Sequence, residues 1–166
     1  MKRYKSNEID KLSEILKNDG VISAPTDTVF GVCARINSIK AYDKLVKTKN
    51  RPITLVLRRR EDFPEYINNG RDSIAIIMAT SKALEELIRK VGSPIFMSSA
   101  NQSGEPTCQD LDEIEKSCPS LDGMMEGEVS FGKGSTIVDC TSEKIEILRL
   151  GPISISQIEK AIKSIK

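Results

Sequence analysis

The sequence predicts an α/β or α+β domain built on a mixed, twisted sheet, and three observations carry that expectation. Apolar residues at helical spacing alternate with short β-branched runs, the pattern of βα units. Two of those runs, ITLVL (53–57) and IAIIM (74–78), are near-continuous stretches rich in β-branched residues, as expected of strands buried on both faces. Near the carboxyl end, STIVDC (135–140) and KIEILRL (144–150) flank a tight turn and read as a hairpin. At 166 residues, 1–166 reads as a single domain with room for a core.

In chain order, Ile9, Leu12, Ile15 and Leu16 fall on one face of a helix over 6–19, with Ser6 or Asn7 as cap and Gly20 beyond its end. VISAP (21–25) is a short strand closed by proline, and VFGVCA continues extended after the TDT turn. Ser38 can cap a second helix with Ile39, Tyr42, Leu45 and Val46 as its stripe, ending near Lys49–Asn50 before Pro52. After the two apolar strands, residues 81–91 form a helix stopped by Gly92, and PIFMS returns as a strand. A short acidic helix is expected near 110–117, and an amphipathic helix over 154–165 closes the fold.

Composition removes whole classes of chemistry. The chain has no histidine, which excludes Ser-His and Cys-His nucleophiles and an imidazole base. Four dispersed cysteines without a CxxC pair speak against zinc and for reduced thiols. No apolar run approaches the roughly 20 residues of a membrane span. The amino terminus, MKRYKSNEIDKLSEIL, lacks the apolar core of a signal peptide. The expectation is a cytoplasmic protein with no membrane partner. The formal net charge of +1 conceals a basic block, since residues 40–60 hold eight Lys and Arg against one acid. Such a block is either an anion site or a solvated helix face.

Polar stretches interrupt the pattern at the ends of apolar elements: PTDTVFG (25–31), KTKNRP (47–52), SSANQSG (98–104) and GSTIVDC (134–140), with Arg149 inside ILRLG. Strand ends of open α/β sheets are where ligands sit, although Ser, Asn and Thr also bond their own loops. Lys49 and Arg51 point the same way if the segment is extended, as Pro52 favours, and could then share a polyanion. A helix terminus complemented by lysine is the other reading. No Walker A or Rossmann glycine fingerprint is present.

Taken in order, PTDTVFGV, KNRP, SSANQSG, STIVD and ILRLG resemble the signature of the YrdC-like (TsaC) threonylcarbamoyl-AMP synthases over about residues 20–151. The resemblance implies a twisted mixed sheet flanked by helices with a concave basic cavity. It implies an enzyme joining L-threonine, bicarbonate and ATP into threonylcarbamoyl-adenylate with release of pyrophosphate, for the t6A modification of tRNA beside the anticodon. Mg²⁺ would accompany ATP, no metal would be held by protein ligands, and the product would pass to a downstream t6A transferase machinery. By the same resemblance Lys49 and Arg51 contact nucleotide phosphate and carbamate, and Asn101 and Arg149 contact the nucleotide. Thr26, Thr28, Ser99 and Ser135 lie on the threonine side.

The sequence departs from that family at three places. RPITLVLR is shortened, with Arg58 where a histidine is usual, and no PG-x-T loop is recognisable around 60–72. Ile77 stands where the family has the arginine that holds the threonine carboxylate, which leaves three readings: another cation takes the role, Arg58 in preference to Arg71, or threonine binding is weak, or the chain is a divergent member with reduced activity. The alternative to a synthase is a nucleotide- or RNA-binding module that kept the basic concavity. Its contact with tRNA or double-stranded RNA would be weak and salt-sensitive, and aromatic content of 4% offers little stacking surface.

Overall fold

The computed structural model describes residues 1–26, 28–36, 54–77, 79, 81–102, 104–129 and 132–158. The chain divides into two compact units, Met1–Pro52 with Ala79–Gly132, and Ile53–Met78 with Lys133–Lys166. Each has its own mixed sheet.

The first unit holds β1 (Arg3–Tyr4), α1 (Ile9–Lys17), β2 (Val21–Pro25) and β3 (Phe30–Arg35). After the excursion into the second unit come α2 (Lys82–Val91), β6 (Ile95–Ser99), α3 (Leu111–Ser117) and β7 (Gly123–Met125). Its sheet runs β1-β7-β2-β3-β6. β7 pairs parallel with both β1 and β2, whereas β2–β3 and β3–β6 are antiparallel. Alternation along the central strands feeds two separate cores. Val21, Val32 and Met124 join Ile114 of α3, while Ile22 and Cys33 join Leu12 and Leu16 of α1 and Leu84 and Leu87 of α2. The sheet is therefore covered on both faces.

The helix ends follow local chemistry. Gly92 closes α2 in the left-handed region at φ 75°. Asp110 caps α3, its carboxylate accepting from Glu113 N at 2.8 Å. The cap expected for α1 at Ser6 or Asn7 is instead Glu8, whose carboxylate accepts from Lys5 N at 2.9 Å. Hydrogen bonding from Lys11, then Lys5 N, holds the Glu8 carboxyl below its usual value.

The second unit holds β4 (Leu55–Arg58), a 3₁₀ turn (Glu65–Ile67), β5 (Ser73–Ile76), β8 (Ile137–Asp139) and β9 (Glu146–Arg149). The sheet order is β5-β4-β8-β9, with β4–β8 parallel and the other pairs antiparallel. The expected hairpin is present as β8–β9, with a bulge between Ile137 and Val138. The apolar runs of β4 and β5 are not buried on both faces. Leu55 and Ile76 stand opposite each other and are 47% and 46% exposed. Among the described residues of this unit, only the 3₁₀ turn and a helical turn at 155–158 are available to cover the sheet. The helix expected from Ser38 and the rest of the closing helix lie outside the described residues.

All four cysteines are free thiols. Cys33, Cys108 and Cys118 are buried, and burial pushes the Cys33 thiol up to about 12.

Candidate functional site

In the first unit the expected ligand residues stand at one end of the sheet. Thr26 follows β2, Thr28 precedes β3, and Ser99 ends β6, which is paired to β3 through Gly31↔Ser99. One step further, Ala100 N donates to Phe30 O at 2.8 Å, which brings Asn101 to the end that carries the 26–29 turn. Thr26, Thr28, Ser99 and Asn101 are all buried.

The turn is built on one hydroxyl. Thr26 Oγ1 donates to Val29 O at 2.6 Å and accepts from the N–H groups of Thr28 and Val29, both at 3.1 Å. The Thr28 hydroxyl lies 3.1 Å from it. This is a side-chain-braced turn of the kind Thr readily makes. Thr26 was expected to face a ligand, but its proton and its lone pairs are engaged within the turn.

The SSANQSG loop folds back on Asn101. Gly104 sits at φ 90° with open space around it, so the glycine serves the backbone conformation and not packing. The returning chain places Glu105 O at 2.6 Å and Gln102 O at 3.0 Å from Asn101 Nδ2, which donates to both. Asn101 Oδ1 is buried without a hydrogen-bond partner. An orphaned buried acceptor is costly and is retained where something else pairs it.

In the second unit Arg149 and Ser135 are brought together. Arg149 Nε and Nη2 donate to Ser135 O at 3.2 and 3.0 Å, while Ser135 Oγ is buried without a partner. Thr136, which the sequence reading passed over, ties the same segments: its hydroxyl accepts from Gly151 N at 2.9 Å and donates to Ile153 O at 2.8 Å. Asp139 of the same motif serves the hairpin. It accepts from Thr141 Oγ1 at 2.7 Å and Thr141 N at 2.8 Å, and these bonds, the hydroxyl's first, lower its carboxyl below the usual value.

Arg58 ends β4 opposite Ser73, is exposed, and donates Nε to Thr141 O at 2.7 Å. Ile77 stands one step beyond the Leu55↔Ile76 pair, at the level of Thr54. Four residues along a strand separate that level from Arg58, about 13 Å. Arg71 lies before β5, also at the end away from Ile77. Lys49 and Arg51 lie outside the described residues.

Two shallow cavities open in the first unit, one of about 400 Å³ beside Lys5, Asn7 and Glu126, the other of about 340 Å³ beside Phe30, Gln109 and Glu128. Neither includes Thr28 or Asn101 in its lining. Among the described residues there is no group of three or more Cys, Asp or Glu placed to hold a metal ion, and no helix long and apolar enough to cross a membrane.

Comparison with known proteins adds the following. The Sua5–YciO–YrdC family model, described as telomere recombination, matches residues 14–53 and 51–151. A threonylcarbamoyl-AMP synthase of Pyrococcus abyssi is 32% identical, with 91% of this chain and 56% of that protein aligned. The corresponding protein of Bacillus subtilis is 26% identical, with 93% and 56% aligned. The chain thus spans just over half the length of these curated relatives. The structure of P. abyssi Sua5 complexed with L-threonine superposes with a TM-score of 0.85 at 21% identity, covering 97% of this chain and 60% of that one. Escherichia coli YciO superposes at 0.80 with 16% identity, covering 94% and 97%. At such identities the structural likeness speaks for the fold. The ordered motifs, the two sheets and a family match across most of the sequence agree, and the chain belongs to the Sua5–YciO–YrdC family.

Proposed function

We propose that this protein forms threonylcarbamoyl-adenylate from L-threonine, bicarbonate and ATP. The reading is supported by relatives named threonylcarbamoyl-AMP synthase and by a structural neighbour that binds L-threonine. The observation in this chain that carries it is the built polar strand end, where Asn101 keeps a buried acceptor unpaired.

The chemistry needs no covalent nucleophile, so a histidine-free sequence is adequate. The threonine amine attacks the carbon of bicarbonate and water leaves, giving a carbamate. A carbamate oxygen then attacks the α-phosphorus and pyrophosphate departs. The protein's part is positioning and charge stabilisation. Lys49, Arg51, Asn101 and Arg149 are assigned to the nucleotide, and Thr28, Ser99 and Ser135 to threonine, with Thr26 acting through the turn it braces. Mg²⁺ would arrive on the ATP phosphates, its ligands phosphate oxygens and water.

For the amino-acid carboxylate we assign Arg58, whose Nη groups retain donors after Nε is spent on Thr141. It would act from its own end of β4, not from the level of Ile77. The product would feed a cytoplasmic tRNA t6A transferase, and tRNA itself would not be needed for adenylate formation.

The test is pyrophosphate release. Release that requires threonine, bicarbonate and ATP together supports the synthase. ATP binding with no release under any combination would leave a nucleotide-binding module instead.

A further inference from the structure

We infer that Thr136 is a positioning residue: it locks β9 in a bulged register and so keeps Arg149 on the same face of the second unit's sheet as Arg58. This assignment deepens the synthase reading, because it rests on Arg149 serving the nucleotide.

Residues directly opposite each other in a sheet share a face, and successive residues along a strand alternate. Leu55 pairs with Ile76 and with Val138, and Val138 pairs with Ile147, so these four apolar side chains lie on one face. Val56 pairs with Asp139 on the other face, which alternation extends to Arg58 along β4 and to Ile137 along β8. Ile137 in turn pairs with Arg149. The two arginines assigned to anions therefore share a face, opposite the apolar one.

Arg149 reaches that face only because β9 is bulged. One step along β8, from Val138 to Ile137, corresponds to two along β9, from Ile147 to Arg149, and Leu148 is the residue in excess. Were the ladder regular, Leu148 would stand opposite Ile137, and Arg149 would turn to the apolar face with Ile147. That slip has local attractions. It would regularise the pairing and set Leu148, 56% exposed, against Ile137. Something must hold the bulged register, and Ile137↔Arg149 is the terminal rung of the β8–β9 pair.

Thr136 stands one residue before that rung. Its buried hydroxyl accepts from Gly151 N at 2.9 Å and donates to Ile153 O at 2.8 Å, which pins the chain just past Arg149 to the start of β8. Gly151 can come this close because it lacks a Cβ, which would meet Thr136 N at 2.5 Å. A slip of one residue would carry Gly151 and Ile153 along by about 3.3 Å, and both bonds would break. The lock is thus made only in the register that aims Arg149.

Register and affinity can be read separately on the full chain, with ATP as the probe. Cross-strand nuclear Overhauser contacts of Ile137 report the register, and calorimetry reports the affinity. The wild type should show an Ile137–Arg149 contact. Thr136→Val, close in shape but without the hydroxyl, should replace it with an Ile137–Leu148 contact and weaken ATP binding about 10-fold, as loss of one charged hydrogen bond would. Thr136→Ser, which keeps the hydroxyl, should stay within about 3-fold of the wild type. Deleting Leu148 in the Thr136→Val chain should restore both readouts. Ile147 and Arg149 then become consecutive, and a regular ladder sets Arg149 opposite Ile137. A residue that mattered to packing alone would not be rescued by a deletion. An Ile137–Arg149 contact that persists in Thr136→Val would overturn the lock and leave the synthase reading untouched. A slipped register with unchanged ATP affinity would overturn the link to the nucleotide, and a wild type that binds no ATP would remove the reading itself. If Thr136→Val does not fold, deletion of Leu148 alone decides the matter. Affinity within about 3-fold of the wild type is expected there, and a loss beyond about 10-fold would show that register is not what aims Arg149.

Discussion

Gly134 shows how one absent Cβ governs the placement of a guanidinium, that of Arg149. A Cβ there would lie 2.6 Å from Arg149 Nη2, the mobile end of a flexible side chain. Gly134→Ala should therefore cost little stability but push Arg149 off Ser135 O. If Arg149 serves the nucleotide, ATP affinity falls about 10-fold, roughly one charged hydrogen bond's worth. Calorimetry showing unchanged affinity would detach Arg149 from that role. Gly151 is the opposite case, because a Cβ there would meet Ser135 C at 2.4 Å and Thr136 N at 2.5 Å, all backbone. Gly151→Ala should destabilise by about 3 kcal/mol or more, read as a shifted denaturation midpoint. Both glycines stand in motif stretches, yet nothing in the sequence separates the one that clears a side chain from the one that clears a backbone. Arg58→Ala should raise the apparent threonine constant about 10-fold with ATP affinity intact. A substitution that moves neither constant would withdraw Arg58 as the carboxylate's partner.

Helices and long strands were legible because their signals are local. The stripe of Ile9, Leu12 and Leu16 announced α1, and Gly92 marked the end of α2. The acidic run 110–117 announced α3 but not its cap, Asp110, where Asp110→Ala should cost about 1 kcal/mol while Asp110→Asn costs less. Equal losses in urea titrations would mean the cap is idle. β1 and β7 were not legible. RY and GMM are too short to show a period and carry no β-branched residue. They exist because the sheet recruits them: Asp122 accepts from Val21 N through its carboxylate at 2.7 Å, its own N–H donates to Val21 O at 2.7 Å, and Met124 N bonds Lys2 O. The apolar runs of β4 and β5 misled for the same reason in reverse, since burial depends on what covers a strand and not on the strand's own residues. The candidate site divides likewise. Residue types and spacing marked the loops, but only the folded turn shows that Thr26 is consumed by it and that Asn101 has one acceptor to offer.

The two faces of the first unit's sheet each bury a thiol, and that makes alkaline stability a property of the assembled core. Cys33 lies among Leu12, Leu16 and Leu87, and Cys118 lies with Ile114 and Met124 on the other side. Burial raises Cys33 from 9.0 to about 12 and Cys118 to about 11. A group whose pKa is raised by folding contributes stability that is complete below its unfolded value and is lost as pH climbs toward the folded one. The loss should therefore begin near pH 9 and continue to pH 11 or above, because the unfolded chain releases these protons first. Each thiol can add a slope approaching about 1.4 kcal/mol per pH unit in that window. Cys33→Val keeps an apolar side chain of similar bulk and removes one titration. Its denaturation midpoint should fall less steeply than the wild type's between pH 9 and 11, even if it starts lower. Other groups titrate in the same range, so the difference between the two curves carries the test. Parallel curves from pH 8 to 11 would show that Cys33 ionises as readily folded as unfolded. A thiol-specific reagent at pH 8 supplies the kinetic counterpart: Cys140, the partly exposed thiol, should react at once, and the three buried thiols only as fast as the core opens.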